Sequence, residues 1–274
     1  MTWFRQTRFA LLASLIPSVA AVAEGVCAEP VDVELILAVD VSLSMSPDEL
    51  AIQRDGYVAA LTHEQVIRAI QDGVHGKIAL TYMEWAGVPM QNVVVPWTVI
   101  SNREEAEAFA QKLTVHPPAS ARRTSLSAAL HFASDLFVES SYSGTKRVVD
   151  ISGDGPNNQG SLVTAARDAL VEQGIVINGL PLMTRGTGFV SAYDVADLDL
   201  YYQNCVVGGP GSFMIPVNDW SQFPEAVRRK LVLELAGPAP GEALPVTAAK
   251  ATREVDCEVG EKMWRQRNYI WDSR

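Results

Sequence analysis

Asp40, Ser42 and Ser44 set one carboxylate and two hydroxyls at alternate positions of the segment Val39-Asp40-Val41-Ser42-Leu43-Ser44. Hard oxygen donors of this kind suit Mg²⁺, Mn²⁺ or Ca²⁺ better than zinc or copper, which favour imidazole and thiolate. The same residue types also build turns and helix N-caps, so the segment alone leaves both readings open. Two distant segments bear on the choice. Thr124 stands at the start of a helix-like stretch, and Asp154 follows the apolar run that ends at Ser152. If the fold brings the three segments together, their oxygens converge on one spot, which is more than turn chemistry requires.

The elements that must position these residues alternate between strand-like and helix-like patterns. Asp32 to Ala38 is an apolar run of the kind that forms a strand buried on both faces, and Asp40 lies just beyond it. A helix opens at Ser46-Pro47 with Asp48 and Glu49 in its first turn, and its apolar stripe of Leu50, Tyr57, Leu61, Val66 and Ile70 carries a break near Thr62-His63. Lys77 to Trp85 and Gln91 to Trp97 read as strands joined by the short turn Ala86-Gly87-Val88-Pro89, so the third strand runs antiparallel to the second. Ser101 with Glu104 predicts a capping box for the next helix, and Thr124 predicts the cap of the one after. Lys146 to Ser152 is the fourth strand, Ser161 to Glu172 a helix and Ile175 to Met183 the fifth strand. Ala192 to Gln203 reads as a helix, Phe213 to Val217 as a short sixth strand, and Asp219 caps a last helix that ends near Leu235. Strands separated by helices call for a mainly parallel sheet covered on both faces. Ligands of such sheets bind beyond the carboxyl ends of the strands, where the strand order reverses.

Composition narrows the function classes. A net charge of -10 argues against a nucleic-acid partner, which needs a basic surface, and 48% hydrophobic residues suffice for a large core. Residues 1–28 read as a signal peptide: Arg5 and Arg8 precede the apolar stretch Phe9 to Ala23, and cleavage sites end at Ala23 and Ala28. No later segment is apolar for long enough to span a bilayer, so the expected location is periplasmic or secreted. Cleavage after Ala28 would leave Cys205 and Cys257 as a candidate disulfide pair in an oxidising compartment. The four histidines are scattered and no Cys-x-x-Cys occurs, which speaks against zinc.

In the order of its elements, the hairpin included, the chain resembles the von Willebrand factor A-type, or integrin I-like, domain, and most of all an uncharacterised group of secreted bacterial proteins carrying it. The resemblance implies a doubly wound six-stranded sheet of order 3-2-1-4-5-6, with the third strand antiparallel and helices on both faces. It also implies a metal-ion-dependent adhesion site, whose Asp-x-Ser-x-Ser motif matches Asp40, Ser42 and Ser44, whose distant threonine matches Thr124, and whose Asp-Gly matches Asp154 and Gly155. The implied cofactor is Mg²⁺, or Mn²⁺ or Ca²⁺, and the implied partner is a protein whose Asp or Glu carboxylate completes the coordination. On this reading residues 29–236 form the domain, 237–250 a Gly/Pro-rich linker and 251–274 an aromatic-rich tail that packs back on it.

Lesser expectations complete the reading. Arg122 and Arg123 are candidates for steering an acidic ligand or ordinary loop charges, Glu84 is either a supporting acceptor for the site or, in the favoured reading, the partner of a surface cation, and Asn157 and Asn158 shape the turn after Asp154. Two alternatives to adhesion stay open. One is an assembly module with a permanently held cation. The other is a Mg²⁺-dependent phosphoryl-transfer hydrolase, which is disfavoured because Ser42 stands where such an enzyme needs a second carboxylate.

Overall fold

A computed structural model describes residues 28–115, 119–184, 195, 197–236 and 255–272. The segment up to residue 27, read as a signal peptide, the segment 237–250, read as a linker, and Pro117-Pro118 lie outside the described residues. Five strands form one sheet in the order β3-β2-β1-β4-β5: β1 Glu29–Asp40, β2 Ile78–Trp85, β3 Gln91–Ile100, β4 Tyr142–Gly153 and β5 Ile175–Pro181. All pairings are parallel except β2 with β3, which the hairpin makes antiparallel.

The expected sixth strand is corrected to an irregular segment that follows β5 through isolated bridges at Met214 and Val217. Its ladder is interrupted at its start, where the Phe213 N–H donates to the Asn178 side chain at 3.0 Å instead of to a backbone carbonyl; the Ile215 and Val217 N–H groups still donate to the Gly179 and Pro181 carbonyls, and Pro216, which has no N–H, faces the outer side.

Helices cover both faces. Leu35, Leu37 and Val39 of β1 point into a core shared with α1 (Pro47–Leu61), α2 (Glu64–Gln71), α3 (Arg103–Val115) and α7 (Phe223–Ala236). Ile36 and Ala38 point the other way, towards α4 (Leu126–Glu139), α5 (Val163–Glu172) and the short α6 (Leu198–Tyr201). The period-2 alternation of side chains thus divides one apolar run between two cores. A last helix, α8 (Val259–Asp272), belongs to the tail.

Three local expectations are corrected by one residue or more. The cap of α3 is Asn102, which accepts the Glu105 N–H at 3.0 Å, while the Glu105 carboxylate accepts both the N–H (2.7 Å) and the hydroxyl (2.8 Å) of Ser101. Glu105 can satisfy two donors from there, which displaces the arrangement based on Glu104. A capping box does form at α1, between Ser46 and Glu49. Ser125, not Thr124, caps α4, with its hydroxyl accepting the Ala128 N–H. The helix expected over Ala192 to Gln203 is described only from Leu198, where one α-turn passes into a π-helical turn, Tyr202–Val206, closed by the Val207 N–H donating to the Tyr202 carbonyl.

Candidate metal centre

The strand order reverses between β1 and β4, because the chain leaves β1 for β2 on one side and returns to β4 on the other. Asp40 ends β1 opposite Trp85, and its neighbour Val39 is in register with Ser152 of β4. Backbone bonds then stitch the loops together. The Ala121 N–H donates to the Val41 carbonyl (3.2 Å), the Leu43 N–H to the Ala121 carbonyl (2.9 Å) and the Ser125 N–H to the Ala86 carbonyl (2.8 Å). Thr124 is held from both sides by Asn158, whose N–H donates to its carbonyl (2.9 Å) and whose Oδ1 accepts its N–H (3.1 Å).

Four of the sequence-derived candidates are joined by side-chain bonds. Asp40 Oδ1 accepts the Ser42 N–H at 2.7 Å, the Ser42 and Ser44 hydroxyls are 2.8 Å apart, and the Ser44 hydroxyl donates to Asp154 at 2.8 Å. Thr124 is buried beside them, its hydroxyl 3.9 Å from the position of a side chain at Gly155. Arg122 is exposed. Arg123 lies against the tail, its guanidinium 3.4 Å from the centre of the Trp264 ring.

Asp40 carries the electrostatics of the site. It is fully buried, and its Oδ2 has no hydrogen-bond partner. Burial first, and then the charge of Asp154, hold its carboxyl well above the usual carboxylate range. A cation between the two carboxylates would relieve both effects. The donors fit a hard ion: two carboxylates and three hydroxyls, all oxygen. Among the described residues no group of three or more His, Cys, Asp or Glu is placed to hold a metal ion.

Several contributors had little or no sequence signal. Gln53 donates from Nε2 to the Asp40 carbonyl at 3.0 Å, fixing the strand end. Its position between Leu50 and Tyr57 on the apolar stripe of α1 is the one hint it offered, a polar residue on a buried helix face. Tyr202 and Trp85 line the inner side of Asp40, and both the Tyr202 hydroxyl and Trp85 Nε1 are buried without a partner. Burial, followed by the charge of Asp40, pushes the Tyr202 hydroxyl well up. Leu43, between the two serines, is 57% exposed and presents an apolar surface at the rim. Glu84 pairs with a cation, as one of its two expected roles had it, but the pair with Arg54 is buried rather than at the surface, and the carboxylate also accepts the Ala119 N–H. Asn157 and Asn158 are buried and bond across to the residues that open α4.

The close approach at Gly153 yields a prediction. A Cβ there would sit 2.8 Å from the Tyr202 hydroxyl, 2.9 Å from Asp40 Oδ2 and 3.1 Å from the Trp85 ring. Gly153→Ala is therefore expected to cost about 1 to 3 kcal/mol through overpacking against groups that cannot swing away. Urea denaturation checks it, and a variant as stable as the parent would refute this convergence.

The fold is that of the von Willebrand factor A-type domain. Over 76% of this chain it matches the proximal thread matrix protein 1 of the mussel byssus, in the form with a zinc-occupied MIDAS motif (TM-score 0.51, 18% identity, 48% of that chain). It also matches a von Willebrand factor type A protein from Catenulispora acidiphila (TM-score 0.53, 13% identity, 75% of this chain and 43% of that one). The open conformation of the pilus adhesin SpaC from Lactobacillus rhamnosus GG matches as well (TM-score 0.52, 12% identity, 76% and 30%). The chain thus spans less than half the length of each of these solved chains. By sequence it belongs to the family described as a protein of unknown function, DUF1194, whose model matches residues 30–239. No curated protein matches it.

Proposed function

We propose that the chain is an exported, divalent-metal-dependent protein-binding module, without enzymatic activity, in which Asp40, Ser42, Ser44, Thr124 and Asp154 hold Mg²⁺ (or Mn²⁺ or Ca²⁺). The observation that carries the reading is the buried, unpartnered Asp40 Oδ2 at the reversal of the strand order, on a carboxylate whose Oδ1 accepts the Ser42 N–H beside the serine hydroxyls that lead to a second carboxylate, Asp154. Neutral hydroxyls would leave a bound cation underneutralised, so it would attract an Asp or Glu carboxylate from a partner. The exposed Leu43 and Arg122 border that position and suit a partner with an apolar residue beside its acidic one. Export is supported by the Cys205–Cys257 disulfide, a feature of oxidising compartments. Among the described residues no helix is long and apolar enough to cross a membrane.

Thermal unfolding in chelator and in each cation tests the proposal. Metal at about 100 times its dissociation constant is expected to stabilise the fold by about 2.7 kcal/mol, a rise of roughly 5 to 10 °C for a domain of this size. Asp40→Ala should fold in chelator and show no rise. If no cation shifts the parent chain, or if the variant shifts equally, the assignment of these ligands fails.

A further inference from the structure

Besides apolar packing of Val255 and Val259 on the core, three contacts of the described tail residues lead to the loops of the candidate metal centre. The disulfide joins Cys257, two residues ahead of α8, to Cys205 in the π-helical turn that also contains Tyr202. In the first turn of α8 the Glu261 carboxylate accepts a hydrogen bond from Asn157 Nδ2 at 2.7 Å. The helix backbone comes so close here that a Cβ at Gly260 would lie 2.1 Å from the Asn157 carbonyl oxygen, a separation only glycine tolerates. Three residues after Glu261, on the same helix face, the Trp264 ring lies 3.4 Å from the Arg123 guanidinium.

These contacts bracket Thr124. Arg123, its chain neighbour, has φ +78, the left-handed region that a residue with a Cβ enters only when its surroundings hold it there. Both ends of the Asn157 side chain and its backbone N–H are bonded: its Oδ1 accepts the Ser127 N–H (3.0 Å), its N–H donates to the Tyr201 hydroxyl (3.1 Å), and its Nδ2 serves Glu261 and the Ser161 carbonyl (3.0 Å). The next residue, Asn158, makes the two bonds that fix the Thr124 backbone. One helix face therefore grips the Arg123–Thr124 loop with an aromatic ring and the Asp154–Asn158 loop with a carboxylate.

We infer that Glu261 and Trp264 are positioning residues for the cation site, and that the disulfide-tethered tail is part of its framework. The inference rests on the cation reading for its consequence, but its physical content, that α8 holds the two loops in register, can be tested separately. Outer groups that orient metal ligands commonly contribute tenfold or more to affinity. Trp264→Ala and Glu261→Ala are each expected to weaken Mn²⁺ binding about tenfold, measured by titration calorimetry well below the melting temperature. Trp264→Phe keeps an aromatic face for Arg123, and Glu261→Gln keeps an acceptor for Asn157, so both should bind almost as the parent does.

Hydrogen exchange in chelator supplies the metal-independent arm. The amides of residues 121–128 should exchange faster in both alanine variants and at the parental rate in the two conservative ones. Parental Mn²⁺ affinity together with parental exchange in the alanine variants overturns the inference. If the parent itself binds no Mn²⁺, the cation reading falls, and the exchange rates alone decide whether the tail positions the loop.

Discussion

Replacing Lys230 with methionine is expected to destabilise the domain by about 3 to 5 kcal/mol at neutral pH, the usual result of removing one partner from a buried ion pair. Lys230 Nζ lies 2.5 Å from both Asp150 and Glu234, and all three side chains have no exposed surface. Asp150 sits mid-strand in β4 and Glu234 in the last turn of α7, so the lysine ties the helix to the centre of the sheet. Without it, two carboxylates share a dry space with Asn178 as the one remaining side-chain donor to Glu234.

The same group sets a pH dependence. Burial, then the charge of Asp150, push the Glu234 carboxyl up to about 7 from an ordinary 4.5, against the pull of Lys230; burial also raises Asp150. A carboxyl raised on folding binds its proton more tightly in the native state. Its contribution is therefore most favourable below pH 4.5 and is lost as pH rises towards 7, on the order of 3 kcal/mol across that window. The loss in Lys230→Met should accordingly be smaller at pH 5 than at pH 7.5, because the stranded carboxylates take up protons. Urea melts at the two pH values measure this, and equal losses would refute the account.

The second large effect belongs to the disulfide. Cys257→Ala is expected to lower the stability of the folded chain by about 4 kcal/mol, the loop-closure entropy for cysteines 52 residues apart. For a domain of this size that corresponds to a fall of roughly 8 to 16 °C in Tm. The bridge also bears on α8, since it fixes Cys257 just ahead of the first turn of that helix. A change below about 1 kcal/mol would mean that the unfolded chain gains little freedom when the bridge is removed.

How much of this was legible in the sequence depends on the range of the interactions involved. The strands of the central sheet carry apolar, punctuated segments, so local pattern located them, though β1, β3 and β4 extend beyond the apolar stretch into polar residues, and the brief turn after Trp85 dictated the antiparallel β3. Asp40, Ser42 and Ser44 stood out because three oxygens at alternate positions follow one strand. The sixth strand misled because Phe213 to Val217 has strand composition, whereas its outcome turned on the Asn178 side chain from a neighbouring strand. The caps of α3 and α4 shifted by one residue because several adjacent residues could serve and tertiary bonds chose among them. Tyr202 and Trp85 at the inner wall of the centre, and the grip of Glu261 and Trp264 on its loops, could not be read in advance. They join positions far apart along the chain; the aromatic content of the tail pointed to its docking, but nothing local marked which residues it would meet.

The broken pairing beside β5 has a consequence for how copies of this protein meet one another. A sheet with a regular open margin invites another strand to add to it, and with it the growth of aggregates. Here one margin is shielded by the 213–217 segment, which is bonded to Gly179 and Pro181 and carries Pro216, with no N–H, on its outer side. The opposite margin, β3, carries Pro96 and faces β2 through an irregular register around Tyr82. Both flanks are thus poor templates for strand addition, so copies of the chain can meet at high concentration without sheet-to-sheet assembly, and the rim of loops around Asp40 is left as the surface on which the proposed recognition would act.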